Sequence, residues 1–126
     1  MTDILYEIYL PFPPTVNSYY SHTKFGVYLS KKGRLYSGKV LDAVRVQNCA
    51  DRIDIEIRVE VDLYPPDKRI RDLDNYMKAL LDSLTKADVW VDDSQIDQLS
   101  IQRGERIKLG AVLVRIYRAE SILEAP

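Results

Sequence analysis

Two aspartates, Asp72 and Asp74, stand two positions apart directly after the basic run Lys68-Arg69-Ile70-Arg71, and a second acidic pair, Asp92-Asp93, follows downstream. Carboxylates crowded against arginines suit a hard divalent cation held by oxygen donors, with guanidinium groups meeting a phosphate. Phosphodiester hydrolysis needs a water activated near neutral pH and stabilised charge on the phosphoryl and leaving oxygens, and carboxylate-held Mg²⁺ supplies both. Lys78, one turn beyond Asp74, has two readings. It forms an exposed i,i+4 ladder with Asp82, or it stabilises charge developing on a phosphate. Asp72 and Asp74 also have a plainer reading, in which one caps a helix and the other complements its dipole. Two residues apart on an α-helix their side chains would point about 200° apart, so they converge only if the helix begins near Asp74 or Asn75. Adjacent residues on extended backbone point oppositely, so one of Asp92 and Asp93 faces the first pair and the other serves the turn.

Composition narrows the ligand set. Cys49 is the only cysteine and His22 the only histidine, which excludes an intrachain disulfide and any Cys- or His-rich metal site. Carboxylates must therefore hold a metal, and they favour Mg²⁺, with Mn²⁺ as a possible substitute. His22 reads as a loop residue and Cys49 as a small helix-face hydrophobe. The net charge of −1 argues at face value against a general duplex binder. The basic residues are grouped, however: Lys31, Lys32, Arg34 and Lys39; then Lys68, Arg69 and Arg71; then Arg103, Arg106 and Lys108. Each group alone reads as a solvated face. A chain of 126 residues that is 46% hydrophobic fits one compact domain spanning 1–126. No segment has the roughly 18 consecutive apolar residues of a membrane span, and Asp3 and Glu7 interrupt the region of a leader peptide. A cytoplasmic protein with no membrane partner is expected. An enzyme using Asp-x-Asp to grip a nucleotide diphosphate lacks its Gly-rich phosphate loop here.

The elements that must position these groups can be read from periodicity. Ile4, Tyr6, Ile8 and Leu10 alternate with Leu5, Glu7 and Tyr9, a strand ended by Pro11, Pro13 and Pro14. Residues 15–24 read as a loop, 25–29 as a short strand, and 30–49 as a helix whose buried side includes Leu41 and Val44 and which Gly33 and Gly38 weaken. Residues 53–63 alternate apolar and charged throughout, predicting a long antiparallel-type strand with one wet face. Leu73, Tyr76, Met77, Leu80, Leu81 and Leu84 recur at helical spacing, so one amphipathic helix runs to about Ala87. Val89-Trp90-Val91 is a short apolar piece, Asp92-Asp93-Ser94 a turn or cap, and strands follow near 98–102 and 112–117. Residues 119–126 read as a frayed tail. The fold class is α+β, with a mixed or antiparallel sheet and two main helices.

The run Arg69-x-Arg71-Asp72-Leu73-Asp74-Asn75-x-x-Lys78-Ala79 resembles the RusA family of Holliday-junction resolvases. So do Asp82-x-Leu84-Thr85-Lys86-Ala87, Trp90-Val91-Asp92-Asp93-x-Gln95 and the opening Leu10-Pro11-Phe12-Pro13-Pro14-x-x-Asn17-x-Tyr19-Tyr20. The resemblance covers about residues 4–117. It implies a homodimeric RusA-like endonuclease, often prophage-encoded, that resolves four-way branched DNA by paired symmetric nicks using Mg²⁺. It implies Asp72, Asp74 and Asp93 as catalytic and metal-binding carboxylates with Lys78 assisting, and Arg69 and Arg71 as positions that meet DNA. Lys68, Lys31, Lys32 and Arg34 are further candidates for the DNA backbone. The slightly acidic net charge departs from the more basic family pattern and implies weaker or more salt-sensitive junction binding. A non-catalytic branched-DNA-binding module of the same fold is the competing expectation. Tyr19 and Tyr20 are read as packing at the dimer interface ahead of stacking on an unpaired base at the junction.

Overall fold

The computed structural model describes residues 4–119. β1 (Ile4–Leu10) buries Ile8 and Leu10 and exposes Glu7 and Tyr9, the alternation expected of it, but Ile4 is exposed because the register shifts between Ile4 and Tyr6. The expected loop then resolves into a one-turn helix α1 (Val16–Tyr19) and a strand β2 (Tyr20–Thr23), paired antiparallel with β3 (Gly26–Leu29) as a separate hairpin. Periodicity is silent on α1 because Tyr19 is held by tertiary contact: it is fully buried and its hydroxyl lies 2.9 Å from Ser83 Oγ.

Helix α2 (Lys31–Val46) starts at an N-cap, Ser30, whose hydroxyl accepts from Gly33 N at 2.9 Å. Val44 faces the core as expected, together with Tyr36 and Val40. Gly33 has a packing role beyond its helix propensity. A Cβ there would stand 2.2 Å from Tyr19 O, so the glycine is what lets α1 lie against α2. Gly33→Ala is expected to destabilise the fold by about 1–3 kcal/mol through overpacking, seen as a lower midpoint of thermal unfolding. Gly38, which has open space around it, should accept alanine without loss.

The strand expected over 53–63 begins only at Ile57: β4 is Ile57–Tyr64. Residues 53–56 are tied to other partners. Ile53 bridges Trp90 in parallel, and the Gln95 amide donates to the carbonyls of Ile53 and Ile55 at 2.8 Å each. Nor does β4 have one wet antiparallel face. It is central, parallel to β5 (Ile96–Arg103) and antiparallel to β6 (Ala111–Arg118), in a four-stranded sheet of order β1-β6-β4-β5. Its charged residues read as solvated but are covered laterally. Asp62 is 6% exposed, held by Arg115 at 2.9 Å and Gln102 at 2.8 Å, and the Arg58 guanidinium lies 4.0 Å from the Tyr117 ring centroid.

Parallel neighbours require a crossover. Here it is α3 (Met77–Lys86), preceded by a 3-10 turn over Leu73–Tyr76 in place of the single helix expected from Leu73. α2 and α3 pack on the same sheet face, where Val40, Val44, Leu80 and Leu84 meet Ile8, Val59, Val61, Val114 and Ile116 in one apolar core. The result is the α+β class expected, with a mixed sheet and two main helices. The tail expected at 119–126 lies, apart from Ala119, outside the described residues; Ala119 itself donates to Glu56 O at 3.1 Å. No helix among the described residues is long and apolar enough to cross a membrane.

Candidate active site

The chain leaves β4 through Pro65 and Pro66 into a loop organised by Asp67. Its carboxylate accepts from Arg69 N at 2.9 Å and from the Arg71 guanidinium at 2.8 Å, with the Arg69 guanidinium at 3.7 Å. The Arg71 hydrogen bond, then that from the Arg69 backbone, holds the Asp67 carboxyl down to about 2. A lowered carboxyl keeps its partners above its folded pKa, so this pairing persists until the pH falls toward 2. Arg71 is turned inward. Its side chain is 13% exposed and sits 5.7 Å from the Phe12 ring centroid, and its carbonyl accepts from Arg103 Nη2 at 2.6 Å. Arg69, at 82% exposure, is the arginine that projects outward. The two arginines, two positions apart, therefore have different environments.

Two adjoining grooves flank this loop. One, of about 510 Å³, is lined in part by Phe12, Lys32, Lys39, Arg69, Arg71 and Tyr76. The other, of about 500 Å³, is lined in part by Lys68, Arg69, Arg71, Arg103 and Arg106. Basic groups that are distant in sequence thus meet around residues 68–71. Lys31 and Arg34 line neither groove, and the Arg34 guanidinium donates to Leu29 O at 2.9 Å. Lys39, Arg103 and Arg106 belong with the grooves although their own segments carry no motif. Their grouping by charge was the only signal in the sequence. Gly104 permits the close approach of the second wall, because a Cβ there would stand 2.4 Å from the Tyr64 ring.

Asp72 occupies the N-cap position before Leu73–Tyr76 with extended backbone (φ −88°, ψ 124°), yet its side chain makes no capping hydrogen bond. Asp74 lies in the first turn. Both are exposed, and among the described residues neither carboxylate is engaged by a basic side chain. The regular α-helix starts only at Met77, so the opposed directions of an i,i+2 pair within an α-helix do not apply to them. The plain capping role, one alternative for this pair, describes Asp92 instead. Asp92 caps Asp93–Gln95 through a complete capping box, accepting from Ser94 N at 3.1 Å while its own N–H donates to Gln95 Oε1 at 2.8 Å. Hydrogen bonding from Ser94 lowers the Asp92 carboxyl below its ordinary value. Asp93 is half-buried and carries no such commitment.

Asp93 lines a shallow hollow of about 180 Å³ with Tyr20, Asp82, Thr85, Lys86 and Asp92. Asp82 is the hub there. It accepts a close hydrogen bond from the Tyr20 hydroxyl and pairs with Lys78 Nζ at 3.3 Å. Burial, and then the bond to Asp82, raises Tyr20 above the ordinary tyrosine range. The sequence offered no sign of this Tyr20–Asp82 contact, since the partners are far apart along the chain.

Topology separates the candidate carboxylates. Asp72 and Asp74 precede the crossover helix and Asp93 follows it, and the ten residues of α3 span about 15 Å at 1.5 Å per residue. Among the described residues no three His, Cys, Asp or Glu side chains gather to hold a metal ion. One chain thus holds the exposed Asp72–Asp74 pair directly after the groove-lining Arg71 and, beyond α3, Asp93 beside Asp82 and Tyr20, with Lys78 reaching Asp82 from the first turn of the helix.

Comparison with known proteins gives a consistent result. Residues 11–117 match the family model described as endodeoxyribonuclease RusA. The crossover junction endodeoxyribonuclease RusA of Escherichia coli (strain K12) is 33% identical over 109 residues, covering 82% of this chain and 91% of that protein. That of Enterobacteria phage HK97 is 35% identical over 117 residues, covering 93% and 98%. That of Enterobacteria phage 82 is 33% identical over 109 residues.

Proposed function

The chain belongs to the RusA family of endodeoxyribonucleases, and from that membership we propose that it resolves four-way DNA junctions by paired nicks, as a Mg²⁺-dependent homodimer. The observation that carries the reading is the Asp72–Asp74 pair, unpartnered among the described residues and following directly on Arg71, which lines two basic grooves. Exposed carboxylate oxygens with no partner among the described residues suit a hard divalent cation that keeps several of its own waters. When bound, the cation supplies an activated water and stabilises charge on the phosphoryl oxygens.

The chain's own groups divide the remaining work. Arg69, Lys68, Lys32, Arg103 and Arg106 hold phosphates along the grooves, with Lys31 and Arg34 on the flank. Arg71 fixes the loop through Asp67 and Phe12 and so sets where Asp72 stands. Lys78 is restrained by Asp82 at 3.3 Å and meets the phosphate that arrives beside it. Lys78→Met is expected to lower junction cleavage about a hundredfold with little loss of binding, read from single-turnover rates and a binding titration. An unchanged rate would leave Lys78 a surface ion-pair partner only.

Two arguments support the homodimer. A four-way junction has near two-fold symmetry, and paired nicks need two sites related by the same operator. In addition, one chain holds its carboxylates at both ends of α3, so a metal site using Asp72, Asp74 and Asp93 needs Asp93 of the partner subunit. The deciding experiment is cleavage of a synthetic four-way junction with Mg²⁺ at low salt, with linear duplex as control. Symmetric nicking of the junction alone is expected. Binding without cleavage in either Mg²⁺ or Mn²⁺ would show a non-catalytic branched-DNA module instead.

A further inference from the structure

The hairpin formed by β2 and β3 carries side chains that the fold does not use. Phe25 at its tip is 78% exposed, Val27 58% and Tyr28 54%, a run of apolar surface that a monomeric fold rarely leaves uncovered without a partner. The tip is nevertheless ordered by its own hydrogen bonds. Thr23 Oγ1 accepts from Phe25 N at 3.1 Å and donates to Gly26 O at 3.3 Å, and the Tyr28 hydroxyl donates to Phe25 O at 3.0 Å. Gly26, at φ +131°, makes the turn. The backbone under Phe25 is thus fixed while its ring is exposed, with Lys24 Nζ 5.1 Å from its centroid.

The base of the hairpin is anchored at both strands. Tyr20 bonds Asp82 on α3, and Ser30, which follows β3, donates its N–H to Tyr19 O at 3.0 Å. The tip therefore keeps a set relation to the end of α3 where Asp93 and Lys86 lie.

Charge identifies the partner. Between Glu7 and Asp42 the chain has no acidic residue, yet Lys24, Lys31, Lys32, Arg34 and Lys39 all fall there, in a protein whose net charge is −1. An acid-free basic arm ending in a bare aromatic ring fits a nucleic-acid backbone that also exposes a base face. Uninterrupted duplex offers no such face. The branch point of a junction does.

We propose that this hairpin is a wedge, with Phe25 stacking on a base unpaired at the branch point while Lys24 and the basic start of α2 grip the adjoining phosphates. The inference rests on the junction-nuclease reading above and deepens it by naming what selects branched over linear DNA.

The test compares the unsubstituted chain with Phe25→Ala and Phe25→Trp on a four-way junction carrying 2-aminopurine at the crossover, each in an Asp74→Asn background to hold off cleavage. Phe25 is exposed, so neither change should disturb folding. Phe25→Ala is expected to weaken junction binding about tenfold, change duplex binding by less than about twofold, and lose most of the 2-aminopurine response. Phe25→Trp should retain all three. An unaltered junction affinity and 2-aminopurine response in Phe25→Ala would overturn the wedge while leaving the nuclease reading in place. So would conversion of a dimer to monomers by Phe25→Ala in sedimentation, which would make the hairpin a contact with a second copy. Failure of the Phe25 protein to bind the junction at all would overturn both readings.

Discussion

Asp74→Asn is expected to slow cleavage of a four-way junction by at least about a thousandfold, a barrier increase of about 4 kcal/mol, while junction affinity stays within a few fold. The substitution keeps shape and removes charge. Because the Asp74 carboxylate is exposed and has no ion-pair partner among the described residues, thermal unfolding should be unchanged. A neutral amide is a much poorer ligand for a hard cation than a carboxylate, so the loss falls on the chemical step. Binding should even improve slightly at low salt, since one negative charge facing the phosphates disappears. Rates under single-turnover conditions and a separate binding titration in the absence of metal distinguish the two effects. A variant that cut at the normal rate would remove Asp74 from the site.

Co-expressed Asp74→Asn and Asp93→Asn chains are expected to recover activity that neither has alone. If each site joins the Asp72–Asp74 pair of one subunit to Asp93 of the partner subunit, a mixed dimer concentrates both defects in one site and leaves the other whole. With random pairing half the dimers are mixed and each has one working site of two, so nicking should return to about one quarter of the unsubstituted level. The product should be a singly nicked junction, because the opposing site is dead. If all three carboxylates served within one chain, every mixed dimer would hold two dead sites and no activity would return. The experiment therefore reads whether the separation set by the ten-residue crossover helix is bridged between subunits.

Much of this protein was legible from its sequence, because much of it is local. The alternation of residues 7–10 and the helical spacing of Leu80 and Leu84 report side-chain direction along one element, and the structure buries Ile8, Leu10, Leu80 and Leu84 as the pattern requires. The α+β class follows from their order, and the run from Arg69 to Lys78 with its companions carried the family resemblance that the comparisons bear out. Carboxylates as the only abundant donors for a metal followed from one cysteine and one histidine.

Tertiary structure decided everything that depends on which elements become neighbours. Residues 53–63 alternate throughout, but the strand begins at Ile57 because Gln95 and Trp90 claim the backbone before it. Gly33 looks like a weak helix residue until Tyr19 O is placed 2.2 Å from its absent Cβ. Basic groups that looked like separate solvated faces meet at one loop, since Arg103 bonds the Arg71 carbonyl. Among the candidate carboxylates, the sequence supplied the residue types, and the spacing left their convergence open. A capping box occupies Asp92 and leaves Asp93 uncommitted. The parallel pairing of β4 with β5 then requires the chain to cross the sheet between Asp74 and Asp93, and parting those residues is a consequence of strand order that no periodicity in the sequence encodes.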